Sequence, residues 1–193
     1  MLRTPIVLAS ASPRRRELLA SVGLTFTVDP ADVDEESMSQ LEPRQQAVAL
    51  AELKAGHVAR RYADAVVIGA DTIVTVDGQA LGKPEDAEDA RRMLRMLSGR
   101  THEVITGVAV VDAATGRMAS DAERTLVTFR ALSEEEIARY VASGEPMDKA
   151  GAYAIQGRGA LLVSRIEGCY PNVVGLPLVV LMRLLRPFGV VVL

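Results

Sequence analysis

Hydrophobic and polar positions change period repeatedly along the chain and so predict a succession of short strands and helices. Residues 5–10 read as a short buried strand, with a continuous apolar run at 6–9. Ser12 as N-cap, Pro13 at the first helical position and Leu18, Leu19 and Val22 on one face then predict a helix that Gly23 ends. A short strand is expected at 25–28, followed by an acidic stretch without period, Asp32-Val33-Asp34-Glu35-Glu36. From 43 to about 62, Ala47, Val48, Ala51, Ala55 and Val58 recur at helical spacing. Residues 65–70 are uniformly apolar, and 71–76 alternate into a second extended piece turned by Asp77-Gly78.

After the Gly82-Lys83-Pro84 turn, residues 86–97 place Ala90, Met93, Leu94 and Leu97 on one helical face, and Gly99 stops them. Residues 103–111 and 125–129 flank Gly116 as a pair of long, partly antiparallel strands. Ser133 and Glu136 spell a capping box for a helix that buries Ile137, Tyr140 and Val141 and ends at Gly144. Residues 146–159 are polar and rich in glycine, which inside a compact domain marks a working loop. A strand at 160–166, a turn-rich connection at 168–175 and a last helix at 176–185 precede the Val190-Val191-Val192 tail. The expected fold is α/β: a single domain over 1–193 with a twisted, mixed central β-sheet flanked by helices.

Composition narrows the classes of function. The 193 residues are 49% apolar and 24% charged with a net charge of −3, so no global attraction to nucleic acid or to an anionic membrane is expected. There is no tryptophan, aromatics are 4%, and no basic stripe runs along the chain, which argues against a nucleic-acid-binding module. The apolar run near the N-terminus is too short for a signal-peptide core, and Pro177 interrupts the longest later one, so neither export nor a membrane span is expected. The single cysteine, Cys169, has no partner for a disulfide or a CxxC site and suits a reducing cytoplasm.

Candidate chemistry concentrates where strands run into turns. In Ser10-Ala11-Ser12-Pro13-Arg14-Arg15 a strand passes directly into a helix, and unpaired N–H groups with the helix dipole make that turn an anion site. Cations in a first helical turn are unfavourable unless an anion compensates them, so Arg14 and Arg15 fit a phosphate-bearing ligand; a solvated face is the plainer alternative. Asp71 follows the apolar run 65–70 and is expected at the end of a buried strand. There it could deprotonate water, hold a divalent metal or merely cap the next turn. Only Lys54, Lys83 and Lys149 are lysines, and the other nineteen basic residues are arginine. A compact ammonium suits a phosphate oxygen, Lys83 and Lys149 best of the three, while Lys54 on an amphipathic helix could equally be solvated. The acidic stretch can be read as Mg²⁺ or Mn²⁺ ligands beside a triphosphate or as a solvated loop. His57 and His102 are too few for a zinc site and are read as structural. Gln156 presents a donor and an acceptor side by side, matching two groups on a uracil or thymine edge, although a surface glutamine is the default.

These motifs resemble the Maf nucleotide pyrophosphatases, also called septum-formation inhibitor proteins. The resemblance rests on Ser10-Ala11-Ser12-Pro13-Arg14-Arg15, Gly69-Ala70-Asp71-Thr72, Leu81-Gly82-Lys83-Pro84, Leu97-Ser98-Gly99 and Val174-Gly175-Leu176-Pro177-Leu178, in order over almost the whole chain. It implies a metal-dependent hydrolase that cleaves a nucleoside triphosphate between the α and β phosphates. The implied fold is that of inosine-triphosphate pyrophosphatases, two lobes around a cleft, commonly as a homodimer in the cytoplasm. By position, Asp71 resembles the general base, and Ser10, Arg14, Arg15, Lys54 and Lys83 resemble the polyphosphate-binding set. Glu35 with Asp71 would hold Mg²⁺ or Mn²⁺.

The loop Asp148-Lys149-Ala150-Gly151-Ala152-Tyr153-Ala154-Ile155-Gln156-Gly157 is similar to the branch acting on dTTP and UTP, with specificity positions at Arg14, Thr72 and Gln156. House-cleaning of nucleotide pools, canonical or modified pyrimidines included, is the implied role, with a link to cell-division arrest. A 7-methyl-GTP pyrophosphatase of the same family is one alternative. A nucleotide-binding regulator of septum formation that does not hydrolyse is another, but it has no reason to set Asp71 and acidic residues beside a polyanion. Cys169 departs from the family's pattern, which has a small hydroxyl residue there.

Overall fold

A computed structural model describes residues 4–35 and 38–193. In chain order the strands and helices are β1 (Ile6–Leu8), α1 (Pro13–Ser21), β2 (Thr27–Val28), α2 (Pro43–Ala59), β3 (Val66–Val76), β4 (Gln79–Leu81), α3 (Ala87–Leu97), β5 (Thr101–Asp112), β6 (Met118–Phe129), α4 (Glu134–Ala142), β7 (Val163–Glu167), α5 (Tyr170–Val174) and α6 (Leu178–Leu185). The strands join in one sheet in the order β2-β1-β3-β5-β6-β7, with β4 also paired to β3. β1 is parallel to both β2 and β3, whereas β3–β4 and β6–β7 are antiparallel, so the sheet is mixed as expected.

Local signals act where the sequence places them. Ser12 caps α1 by accepting from the Arg15 N–H, and the Ser133–Glu136 capping box closes in both directions at α4. Asp86 stands one residue outside α3 as its cap, accepting from the N–H groups of Glu88 and Asp89. Two expectations need correcting. Residues 66–76 are one strand of eleven residues rather than two pieces, because the chain reverses only at Asp77 and Gly78, both at positive φ. The connection 168–175 contains α5, which buries Asn172 and Val174.

The chain divides into two compact units, the first Met1–Asp71, Thr106–Glu123 and Gly175–Leu193, the second Thr72–Ile105 and Arg124–Val174. In the first unit, alternate residues of the strands serve opposite faces. Leu8, Val66, Ile68, Ala70, Val108 and Val110 pack with Leu19 of α1 and with Leu181, Leu184 and Leu185 of α6. Val7, Val67, Ala109 and Val111 pack on the other face with Ala51, Ala55 and Val58 of α2.

That second face is unusually tight. A Cβ at Gly69 would stand 2.3 Å from the carbonyl oxygen of Ala51, and one at Gly107 would stand 2.1 Å from that of Ala47. The two glycines let the backbone of α2 lie directly on β3 and β5. In the second unit α3 packs on α4, and His102, Phe129 and Tyr153 meet edge to face with ring centroids 4.7–5.3 Å apart.

Candidate active site

Within the first unit, the close seat of α2 decides where Lys54 goes. The helix buries Ala47, Leu50, Ala51, Lys54, Ala55 and Val58, so Lys54 belongs to the apolar stripe and not to the solvated face. Its ammonium lies 2.6 Å from Oδ1 of Asp71 and 2.7 Å from Oε1 of Glu35. The side chains of Lys54 and Asp71 are 11% and 12% exposed, against 56% for Glu35, so the first pair is buried and the second contact reaches solvent. A carboxylate buried this deeply needs a compensating cation, and Lys54 supplies it.

Asp71 does not stand at a strand end. It is the sixth residue of β3, between the stretch paired with β1 (Val66–Ile68) and the stretch paired with β4 (Val74–Val76). Strand geometry persists through the aspartate because Ile73, Val74 and Val76 carry the buried pattern onward.

The β1–α1 turn belongs to the same unit. Ser10 is buried, and its Oγ accepts from the Ser12 N–H at 3.3 Å and from Nη1 of Arg15 at 3.2 Å. Nε of Arg15 donates to the Gly175 carbonyl at 2.7 Å, tying the first family motif to the last. Burial pulls the Arg15 guanidinium below its ordinary value; Asp71 and Glu35 oppose that shift and the like charge of Arg14 adds to it. Ser10, Arg14, Arg15, Glu35, Lys54 and Asp71 are thereby gathered into one electrostatic neighbourhood. Glu36, from the same acidic stretch, lies outside the described residues.

The second unit carries the remaining candidates. Thr72 follows Asp71 in β3 and is half-buried, and Lys83 is exposed in the turn after β4. That turn is tied to the loop bearing Gln156 by the Gly151 N–H, which donates to the Gly82 carbonyl at 3.0 Å. Lys149 does not project as a phosphate ligand. Its ammonium donates to the Glu145 carbonyl at 2.8 Å and to Oδ1 of Asp148 at 2.5 Å, so it holds the loop together.

Two contacts around this loop have little signature in the sequence. The Glu145 carboxylate accepts from the Tyr140 hydroxyl and from the backbone N–H groups of Arg158 and Gly159 at 3.0–3.2 Å. His102, expected to be structural, is 1% exposed and shares a 2.7 Å hydrogen bond between Nε2 and the Tyr153 hydroxyl. Burial brings the His102 pKa down to about 4 and pushes the Tyr153 phenol up. The only signal for Glu145 in the sequence is its place between the helix-ending Gly144 and the loop.

Among the described residues no group of three or more His, Cys, Asp or Glu side chains converges as a metal site, and no helix is long and apolar enough to cross a membrane. Asp71 and Glu35 nevertheless lie close together, 2.6 and 2.7 Å from the same Lys54 ammonium. Two hard carboxylates of this kind fit Mg²⁺ or Mn²⁺, which takes one or two protein carboxylates and completes its shell with water and substrate phosphates.

Residues 5–188 match the family described as Maf-like protein. The chain belongs to the Maf-like family. It is 58% identical over 185 residues to a protein of Moorella thermoacetica named dTTP/UTP pyrophosphatase, covering 96% of this chain and 95% of that one. Proteins of the same name from Pelotomaculum thermopropionicum and Syntrophotalea carbinolica are 55% and 54% identical, over 95% and 96% of this chain and 96% and 86% of theirs. A solved structure of a HAM1 protein from Coxiella burnetii aligns with a TM-score of 0.47 at 17% identity, over 77% of this chain and 86% of that one. In this member of the family the candidate base Asp71 and the buried Lys54 are in direct contact.

Proposed function

We propose that this chain is a nucleoside triphosphate pyrophosphatase that hydrolyses dTTP and UTP to the nucleoside monophosphate and pyrophosphate. The reading is supported by family membership, by relatives of that name more than 50% identical, and above all by the buried Asp71–Lys54 pair with Glu35 on the same ammonium.

In this reading Lys54 holds Oδ1 of Asp71, which orients the carboxylate so that Oδ2 takes a proton from the attacking water. The water oxygen bonds to the α phosphorus, the bond to the bridging α–β oxygen breaks, and pyrophosphate leaves. Arg14, Arg15 and Lys83 bind the phosphate oxygens, and Ser10 fixes the turn from which Arg15 extends. Mg²⁺ or Mn²⁺, held by Asp71 and Glu35, would add neutralising charge on the polyphosphate. Arg14, Thr72 and Gln156 select the base, with the Gln156 amide pairing to the O4 and N3–H edge of uracil or thymine. The cytoplasm is the expected compartment and a homodimer the expected assembly, which sedimentation at working concentration tests.

The deciding experiment is hydrolysis of dTTP, UTP, CTP, GTP, ATP and 7-methyl-GTP with Mg²⁺ or Mn²⁺, scoring pyrophosphate separately from phosphate. Pyrophosphate from dTTP and UTP, lost by at least a hundredfold in Asp71→Asn with nucleotide binding retained, is the expected outcome. A preference for 7-methyl-GTP would overturn the pyrimidine assignment, and binding of every nucleotide without turnover would favour the septum-regulator reading.

A further inference from the structure

An amide discriminates uracil from cytosine only if it is held one way round. Uracil offers an acceptor at O4 and a donor at N3, cytosine a donor at N4 and an acceptor at N3, so a glutamine turned by half a revolution pairs with the second as well as with the first. Base selectivity at Gln156 therefore depends on the amide meeting O4 and N3–H in one register, which requires the backbone that carries it to stay in place.

The loop is clamped on both sides of Gln156 by one carboxylate. C-terminal to it, Oε2 of Glu145 accepts from the Arg158 N–H at 3.2 Å and Oε1 from the Gly159 N–H at 3.0 Å. N-terminal to it, the Tyr140 hydroxyl donates to Oε1 of Glu145 at 3.0 Å and accepts from the Ala154 N–H at 3.2 Å. Glu145 thus reaches the backbone two residues before Gln156, through Tyr140, and two and three residues after it, directly.

The intervening geometry is built around that clamp. Gly157 has φ +62°, which favours glycine, and a Cβ there would lie 3.0 Å from Oε2 of Glu145, close enough to press the carboxylate back by a few tenths of an ångström. A Cβ on Gly159 would lie 2.0 Å from the Ala154 carbonyl, so the two flanks of Gln156 are in contact with each other. Ala152 holds φ +58° without being glycine, a conformation that persists only where the surroundings over-determine it.

We infer that Glu145, acting with Tyr140, is a positioning residue that sets the base selectivity of Gln156 by fixing the loop on either side of it. The inference rests on the reading of Gln156 as the base reader. Loosening the clamp admits the flipped amide, so it raises turnover of CTP relative to UTP, whereas removing the amide lowers turnover of UTP.

The test is the ratio of kcat/KM for UTP to that for CTP in wild type, Tyr140→Phe, Gln156→Ala and the double variant. Tyr140→Phe, which removes the hydrogen bond to Glu145 and the one from the Ala154 N–H, is expected to lower the ratio about tenfold or more and to leave it unchanged when added to Gln156→Ala. Glu145→Gln, which sets an NH₂ group against a backbone N–H, is expected to repeat the result and serves if Tyr140→Phe does not fold. An unchanged ratio in both single variants, or an equal fall with and without Gln156, overturns the positioning role while the base reading stands. If Gln156→Ala itself leaves the ratio at the wild-type value, the base reading fails and this inference fails with it.

Discussion

The ammonium of Lys54 and the carboxylate of Asp71 meet at 2.6 Å between α2 and β3, with little of either side chain open to solvent. A pair in this setting is costly to break from one side, because the remaining charge stays buried. Lys54→Met is expected to destabilise the chain by about 3 kcal/mol. Asp71→Asn should cost less, since the amide oxygen still accepts from the ammonium. Urea unfolding of the two variants checks the order, and equal midpoints would show that the pair is better hydrated than its burial indicates.

The contact exists because α2 lies close on the sheet, so the glycines beneath it should be felt at the site. Gly107→Ala sets a methyl group 2.1 Å from the Ala47 carbonyl, which the helix can relieve only by moving away. A loss of about 2 kcal/mol or more is expected. Turnover should fall with it, since Lys54 travels on the same helix, and melting together with steady-state kinetics reads both effects.

Burial holds the His102 pKa at about 4, below its ordinary 6.5, and the ring's Nδ1 has no partner among the described residues. The unfolded chain therefore takes up a proton at His102 at higher pH than the folded one. Stability at this residue is fully kept above pH 6.5 and falls as pH drops from 6.5 towards 4, by up to about 1.4 kcal/mol per unit and about 3 kcal/mol in all. Denaturant midpoints at pH 7, 6 and 5 for wild type and His102→Gln measure it, and parallel slopes for the two proteins would remove His102 as the cause.

With Glu35 half exposed and Asp71 buried, the proposed cation is held by few protein groups and should be easily withdrawn. Chelation is expected to abolish turnover and added Mg²⁺ or Mn²⁺ to restore it. Glu35→Gln should raise the metal concentration for half-maximal rate about tenfold. Full activity in the presence of chelator would rule out the cation's role.

Much of this protein could be read from its sequence, and the reason is locality. Ser12, Pro13, Ser133 and Glu136 act on backbone groups within three residues, so their helix starts survive in any tertiary context. The buried stripes of α3 and α4 follow from spacing alone, and the ordered motifs were enough to indicate the family. The extent of β3 is not legible locally, because Asp71 interrupts an apolar run and only its partner explains how a carboxylate is buried in mid-strand. That partner is seventeen positions away.

The sequence leaves Lys54 equally a surface or a site residue; two distant glycines, Gly69 and Gly107, bring α2 onto the sheet and decide it, and Glu145 has almost no signal outside the loop that closes around it. Capping and periodicity were determined by residues near in sequence. The buried ion pair and the clamp around Gln156 were decided by tertiary structure, because a charge is buried, or a loop held, only by the groups that packing brings against it.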